Sequence, residues 1–389
     1  MQITRFSVLL AGVVSLGTGC QPEEAVLAPE SAPALQQSAL TTATGSWTRE
    51  ASNPSLVWVD SATALSSGEV LVIHGGYSNV YNPYSNTWHS GSSTPLDPGY
   101  SWSQNGHSAT RLRSGKVLIA GGVNSDPTEY YDDWDYRAYL YDPATNTYTR
   151  TGDMALRSGH HSSVLLSSGK VLLLGGYHYY GIPYITSQSQ LYDPETGTWS
   201  EVESDLKFRI YPTATLLYSG KVMVTGGYFP FLSSEPVDTV TFYDPATNSW
   251  SDGPSLPHGR LKHHAVRLYS GRVMVLGGVQ GSDTSVDVYD PYLDQWVSGP
   301  ALPISQVIKT ATLLYSGEVL VTGEFGQTAV YSPETNTWTR TADMQGGSFA
   351  GTHAVRLHTG QVLLVGGGRP GTPTGEYTPT ISDIQRFTP

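Results

Sequence analysis

An all-β chain closed into a seven-bladed β-propeller is the fold that the sequence predicts. A glycine that opens the pattern Gly-x-Val-apolar-apolar recurs at positions 68, 115, 169, 220, 271, 317 and 360. The first and last copies lie 292 residues apart over six intervals, a mean period near 49, and repeats of roughly 50 residues belong to propeller blades. After each of the first six glycines comes an aromatic pair seven residues apart: Tyr81 and Trp88, Tyr141 and Tyr148, Tyr192 and Trp199, Tyr243 and Trp250, Tyr289 and Trp296, Tyr331 and Trp338. The composition agrees: 25 tyrosines, 42 glycines and 25 prolines beside 14% charged residues describe a strand- and turn-rich chain with almost no helix.

Each copy reads as four strands. The first alternates and ends at a Ser-Gly turn. The second is a continuous apolar run such as Val117 to Ala120, which suits a strand covered on both faces by neighbouring blades. A third ends in Tyr-Asp-Pro, and the fourth bears the second aromatic. Paired glycines after the apolar run allow another blade to approach closely. A phosphate-binding reading of them needs a following helix, and none is signalled.

Six copies are complete and the seventh is not. Ile384 to Pro389 matches a third strand and then the chain stops. The missing strand stands at the other end: Ala43 to Arg49 matches Glu334 to Arg340, and Trp47 lies 21 residues before Gly68, the gap that follows four other strand-four aromatics. The N-terminal strand is therefore expected to complete the C-terminal blade, because a third strand left unpaired exposes a row of backbone donors and acceptors.

The repeat, as in Ser168-Gly169-Lys170-Val171-Leu172-Leu173-Leu174-Gly175-Gly176 followed by Tyr192-Asp193-Pro194-Glu195-Thr196-Gly197-Thr198-Trp199, resembles the kelch motif along the whole chain after residue 44. Galactose oxidase and its copper-radical relatives resemble such a ring, but their chemistry needs a cysteine crosslinked to tyrosine, and Cys20 is the only cysteine here. Plant kelch proteins acting on glucosinolate products carry a Glu-x3-Asp-x3-His iron motif. The nearest match is Glu129, Asp133 and Arg137, in which the last ligand is wrong. No cofactor and no metal site is expected.

Ahead of the ring, Arg5 and the apolar stretch Phe6 to Leu16 read as an export signal over residues 1–19, too short to span a bilayer. Gly17-Thr18-Gly19-Cys20 resembles a bacterial lipoprotein processing site, although Leu16 stands one place early. In that reading Cys20 is lipidated and residues 20–44, rich in Ala, Pro, Ser and Gln, form a flexible tether to the propeller at 45–389. Ordinary cleavage after Gly19 is the alternative. The resemblance implies an outer-membrane or cell-surface location, with Gln21 pointing to the outer membrane, or a periplasmic or secreted one. A single cysteine excludes an intramolecular disulfide. The net charge of −12 argues against nucleic acid as a partner and against membrane binding by any route other than the lipid anchor.

Strand polarity puts the turns between strands one and two and between three and four on one face. The opposite face carries the two-to-three connections, whose lengths vary: 13, 26, 23, 23, 18, 14 and 27 residues from repeat glycine to strand-three aromatic. Variable loops on a rigid scaffold usually carry function. They hold Tyr130, Tyr131, Trp134 and Tyr136 in blade two, Tyr179, Tyr180 and Tyr184 in blade three, and Phe229 and Phe231 in blade four, with Tyr100 and Trp102 in the lead-in to blade two. Aromatic planes beside carboxylates suit sugar stacking or a protein hot spot. A monomeric recognition scaffold binding glycan or protein is thus expected, with a sugar epimerase or lyase working in the channel mouth as the alternative.

Two further features invite a catalytic reading. His107, His161 and His263 share the slot eight residues before the repeat glycine, with His264 and His353 one place on; blades two, three and five are not all neighbours, which disfavours a shared metal. Blade six carries Lys309 in the histidine slot and Glu324 where the second glycine belongs. If Ser316-Gly317 is a two-residue turn, the two face each other and form a structural ion pair.

Overall fold

The computed structural model describes residues 17–18, 21–22, 45–53, 56, 59–74, 76–94, 106–124, 133–134, 136–179, 183–185, 189–202, 209–229, 235–278, 284–304, 307–344, 352–366 and 384–389. They contain no helix and seven four-stranded antiparallel sheets. Blade three shows the pattern: Ser162–Leu165, Val171–Leu174, Ser189–Asp193 and Thr198–Val202 pair in sequence order. First strands of successive blades lie side by side around the axis. The seventh sheet closes the ring as expected: Ser46–Arg49 pairs with Gln385–Thr388, Trp47 opposite Phe387. Gly17–Thr18 and Gln21–Pro22 form a two-residue ladder that lies against the first strands of blades two to five.

Burial explains the sequence pattern. The second strands, Val70–His74 through Val362–Val365, are buried along their length, and the described core divides into seven apolar clusters, each shared by two successive blades. Leu276 and Val286 of blade five pack with Ile308 and Val319 of blade six; Leu363 and Val365 of blade seven pack with Val70 and Tyr81 of blade one. Burying one such side chain is worth roughly 2 kcal/mol, so the blades hold one another rather than folding alone.

The aromatic pairs lock the outer strands. Tyr192 and Trp199 face each other across the ladder with ring centroids 5.0 Å apart, and Trp199 Nε1 donates to the Gly152 carbonyl of the preceding crossover at 2.7 Å. In blade one the Tyr81 hydroxyl shares its proton between Glu50 and Asn86, each at 2.9 Å, and in four other blades the tyrosine hydroxyl donates to an Asn or Asp five residues on, from Tyr141 to Asn146 at 3.1 Å through Tyr289 to Asp294 at 2.7 Å. The Asn and Asp acceptors sit in the left-handed region, which Asn and Asp tolerate better than most residues.

The turn between strands one and two departs from expectation. Gly317 N donates to Leu314 O, and Leu314 N to Glu318 O, so the loop has three residues, with Gly317 left-handed at φ 89° as a glycine bulge. The register is therefore Leu313 opposite Val319, and a bulge between Ile308 and Thr310 leaves Lys309 without a direct partner. The ion pair forms nonetheless, Lys309 Nζ to Glu324 Oε1 at 3.0 Å, because a long lysine reaches one residue along the strand.

Candidate binding site at the channel mouth

The first strand of each blade begins on the loop-rich face, so the residues entering these strands ring the axis. Between them lies a cavity of about 410 Å³ lined by Asp60, His107, His160, His161, Tyr211, Lys262, His263, His264, Lys309 and His353 among others.

Three of the histidines are struts. His107 Nε2 meets Ser61 Oγ at 2.9 Å, His161 Nε2 meets Ser108 Oγ at 2.9 Å, and His263 Nε2 meets Thr225 Oγ1 at 2.7 Å. Each contact crosses to the preceding blade. Burial pushes their pKa values down, to about 4 for His107 and about 3 for His161 and His263, since a charged imidazole there would lose its hydration. Their Nδ1 atoms have no hydrogen-bond partner. Among the described residues no three His, Cys, Asp or Glu side chains gather as a metal cluster.

One place earlier lies a set of residues that the repeat pattern alone did not single out. His160, Tyr211 and Lys262, from blades three, four and five, all stand nine residues before the repeat glycine, the slot that Gly106 fills in blade two. All four are left-handed, with φ between 53° and 61°. Among the described residues, the other non-glycine residues in that region are the five Asn and Asp of the outer turns. Tyrosine and lysine gain nothing local from such a backbone, which costs roughly 1–2 kcal/mol. The Tyr211 ring stands 5.6 Å from the His160 ring, stacks at 6.4 Å on Tyr228, and has Lys262 Nζ 4.6 Å from its centroid. The signal was present in the aligned repeats: one glycine and three bulky side chains in a single slot.

Of the aromatic residues proposed for binding, Trp134, Tyr136, Tyr179, Tyr184 and Phe229 lie among the described residues. Asp133–Trp134 pairs with Val123–Asn124, and Tyr177–Tyr179 with Pro183–Ile185, setting His178 opposite Tyr184; the two hairpins are neighbours. Tyr136 is 38% exposed, with the Arg157 guanidinium 5.2 Å from its ring centroid. Phe229 is half-buried beside Tyr228. Tyr100, Trp102, Tyr130, Tyr131, Tyr180 and Phe231 lie outside the described residues.

Ring, strand order and repeat define a closed propeller whose blades share one motif. A family model for the kelch motif matches residues 209–257 and 260–303. Alpha-scruin of Limulus polyphemus is 26% identical over 205 residues, covering 52% of this chain and 21% of its own. Kelch-like protein 23 of Homo sapiens is 26% identical over 199 residues, covering 49% and 33%. The chain thus spans well under half the length of these relatives. The fold is similar to that of a novel fungal alcohol oxidase of the AA5 family in complex with copper (TM-score 0.67, 15% identity, 89% of this chain and 76% of that one). It is also similar to YjhT (TM-score 0.56, 14% identity, 75% and 99%). These two likenesses carry the fold alone. This chain is a kelch-repeat β-propeller.

Proposed function

We propose that the chain is an exported, lipid-anchored recognition scaffold whose loop-rich face, centred on the channel mouth, captures a partner without turning it over. The observation that carries this reading is the set of three left-handed residues, His160, Tyr211 and Lys262, displayed at the cavity by three successive blades. Backbone strain persists where the surroundings over-determine it, and it concentrates at ligand clamps.

A protein partner is the first candidate, in keeping with the kelch relatives. A glycan is the second, favoured by the ring faces of Tyr136 and Tyr211 beside cationic groups. Enzymatic chemistry of the epimerase or lyase kind fits less well: Asp60 is the one carboxylate among the described lining residues, and the buried histidines stay neutral well below physiological pH. Acylation of Cys20 follows cleavage after Gly19, which removes Gly17–Thr18 and with them the short ladder against the first strands.

Residues 20–389 with Cys20→Ser, presented to arrays of glycans and to proteins of the cell envelope, test the binding reading. Saturable binding that Tyr211→Ala and Trp134→Ala abolish supports it. Binding indifferent to both substitutions, or turnover of a captured sugar, overturns it.

A further inference from the structure

In a ring of repeats, a slot that one blade fills differently marks what that blade does beyond folding. Three such departures meet on the turn face, at the seam between blades four and five. Two residues before the repeat glycine, Tyr218 of blade four stands where blades one to three have Ser66, Arg113 and Ser167, while blades five and six share it as Tyr269 and Tyr315. Three residues after the strand-three tyrosine, blade five has Tyr292, which blade one shares as Tyr84; blades two, three, four and six have Ala144, Glu195, Ala246 and Glu334. Two places further on, Asp294 replaces the asparagine that blades one, two, four and six carry as Asn86, Asn146, Asn248 and Asn336. No other seam combines the three.

The fold gathers them round a cleft of about 480 Å³, which Asp252 of blade four also lines. Gly271 leaves its floor bare: a Cβ there would stand 3.1 Å from the Tyr218 ring and 3.4 Å from the Tyr292 hydroxyl. The buried Arg267 guanidinium covers one face of Tyr218, 4.2 Å from the ring centroid, yet Tyr218 stays 42% exposed and Tyr292 78%. Asp294 accepts from the Tyr289 hydroxyl at 2.7 Å, but asparagine fills that acceptor role in blades two, four and six. The turn therefore has no use for its charge. The neighbouring cations are engaged elsewhere, Lys221 with Asp244 at 3.4 Å and Arg272 with Asp290 at 2.8 Å. Among the described residues Asp252 and Asp294 have no ion-pair partner, and together they outweigh Arg267.

We propose that this cleft is a second recognition site, on the face opposite the channel mouth, and that it takes an arginine side chain of a protein partner. A guanidinium is planar, stacks on tyrosine and forks onto a carboxylate, so one group engages the rings and the unpaired charge together. The chain builds the same contact within itself, with Arg157 on Tyr136, Arg267 on Tyr218 and Arg356 on Tyr315 at 4.2 to 5.2 Å from the ring centroids. A neutral sugar could stack on these rings but leaves both carboxylates uncompensated. Leu293, 63% exposed beside Tyr292, adds an apolar contact that a protein covers and a free cation does not. The net charge of −12 draws a basic partner to the ring.

The probe is the peptide acetyl-Ser-Gly-Arg-Gly-Ser-amide, titrated by nuclear magnetic resonance into residues 20–389 with Cys20→Ser, beside a citrulline version that keeps the shape and removes the charge. Saturable binding with a Kd of roughly 1 mM is expected, about tenfold weaker for citrulline. Asp294→Asn and Tyr292→Ala should each weaken the arginine peptide by about threefold or more. Both variants install a residue that other blades carry in the same slot, so the ring keeps its fold, and a near-ultraviolet circular dichroism spectrum matching the parent's verifies it. Equal affinity for the citrulline peptide, indifference to either substitution, or no saturation up to about 10 mM overturns the site. So does binding lost in Tyr211→Ala, which moves the peptide to the channel mouth. Because the two sites lie on opposite faces, failure of one leaves the other standing.

Discussion

Arg386 and Glu50, 336 residues apart in sequence, are ion-paired at 3.0 Å across the seam of the ring. Tyr81 of blade one joins them, its hydroxyl donating to Glu50 at 2.9 Å and accepting from Arg386 at 3.1 Å, while the Arg386 guanidinium also donates to Pro83 O at 2.9 Å. Both charges are largely buried, and removing one partner of such a pair strands the other. Arg386→Met is therefore expected to cost about 3 kcal/mol, measured by urea unfolding. Arg386→Met with Glu50→Leu is expected to recover part of it. A double variant as unstable as the sum of the singles refutes the coupling.

Acid should weaken the ring through its histidines. His107, His161 and His263 have folded pKa values near 4, 3 and 3 against an unfolded value of 6.5, so the native state disfavours their protonation. Their contribution is fully present above pH 6.5 and is lost progressively as pH falls toward 3 to 4, by roughly 3 kcal/mol for each histidine. The urea midpoint should drop steeply between pH 6.5 and 4, and His161→Gln should flatten that slope. A midpoint independent of pH over this range contradicts the assignment.

The strain at the channel mouth can be read directly. Lys262 is exposed and left-handed at φ 53°, so Lys262→Gly should raise stability by about 1 kcal/mol. Lys262→Ala, which keeps the strain, should not. If both behave alike, the backbone stores no strain there.

Two glycines separate conformation from contact. Gly220, at φ 86°, has nothing within 4 Å of where a Cβ would stand, whereas at Gly226 a Cβ would lie 2.3 Å from the Arg260 carbonyl of the next blade. Gly220→Ala should cost about 1 kcal/mol for its backbone alone, and Gly226→Ala more than twice that. Thermal unfolding of the pair decides it; equal losses argue against a tight blade contact at Gly226.

Blade number, strand roles and the closing strand were legible because they rest on a period and on ladder pairing, both local in sequence. The pairing of Lys309 with Glu324 was legible as chemistry, but its register was not: the three-residue turn and the bulge at Lys309 each shift the ladder by one place. First strands such as Ser108–Arg111 alternate in polarity yet are buried on both faces. Hydroxyls there bond to the next blade, as Thr110 does to Ser163 at 2.8 Å, so alternation signalled inter-blade hydrogen bonding rather than a wet side. His160, Tyr211 and Lys262 escaped notice because their shared property is a torsion angle, which no composition reveals.

Pairing the first ring strand with the last also sets a clock for the chain's birth. Ser46–Arg49 leaves the ribosome hundreds of residues before Gln385–Thr388, its only ladder partner. Until Gln385–Thr388 emerges, the earliest strand must wait unpaired and the growing crescent keeps two open ends. Completion is then all or nothing: a chain cut short before Gln385 yields not a slightly shorter ring but one that never shuts.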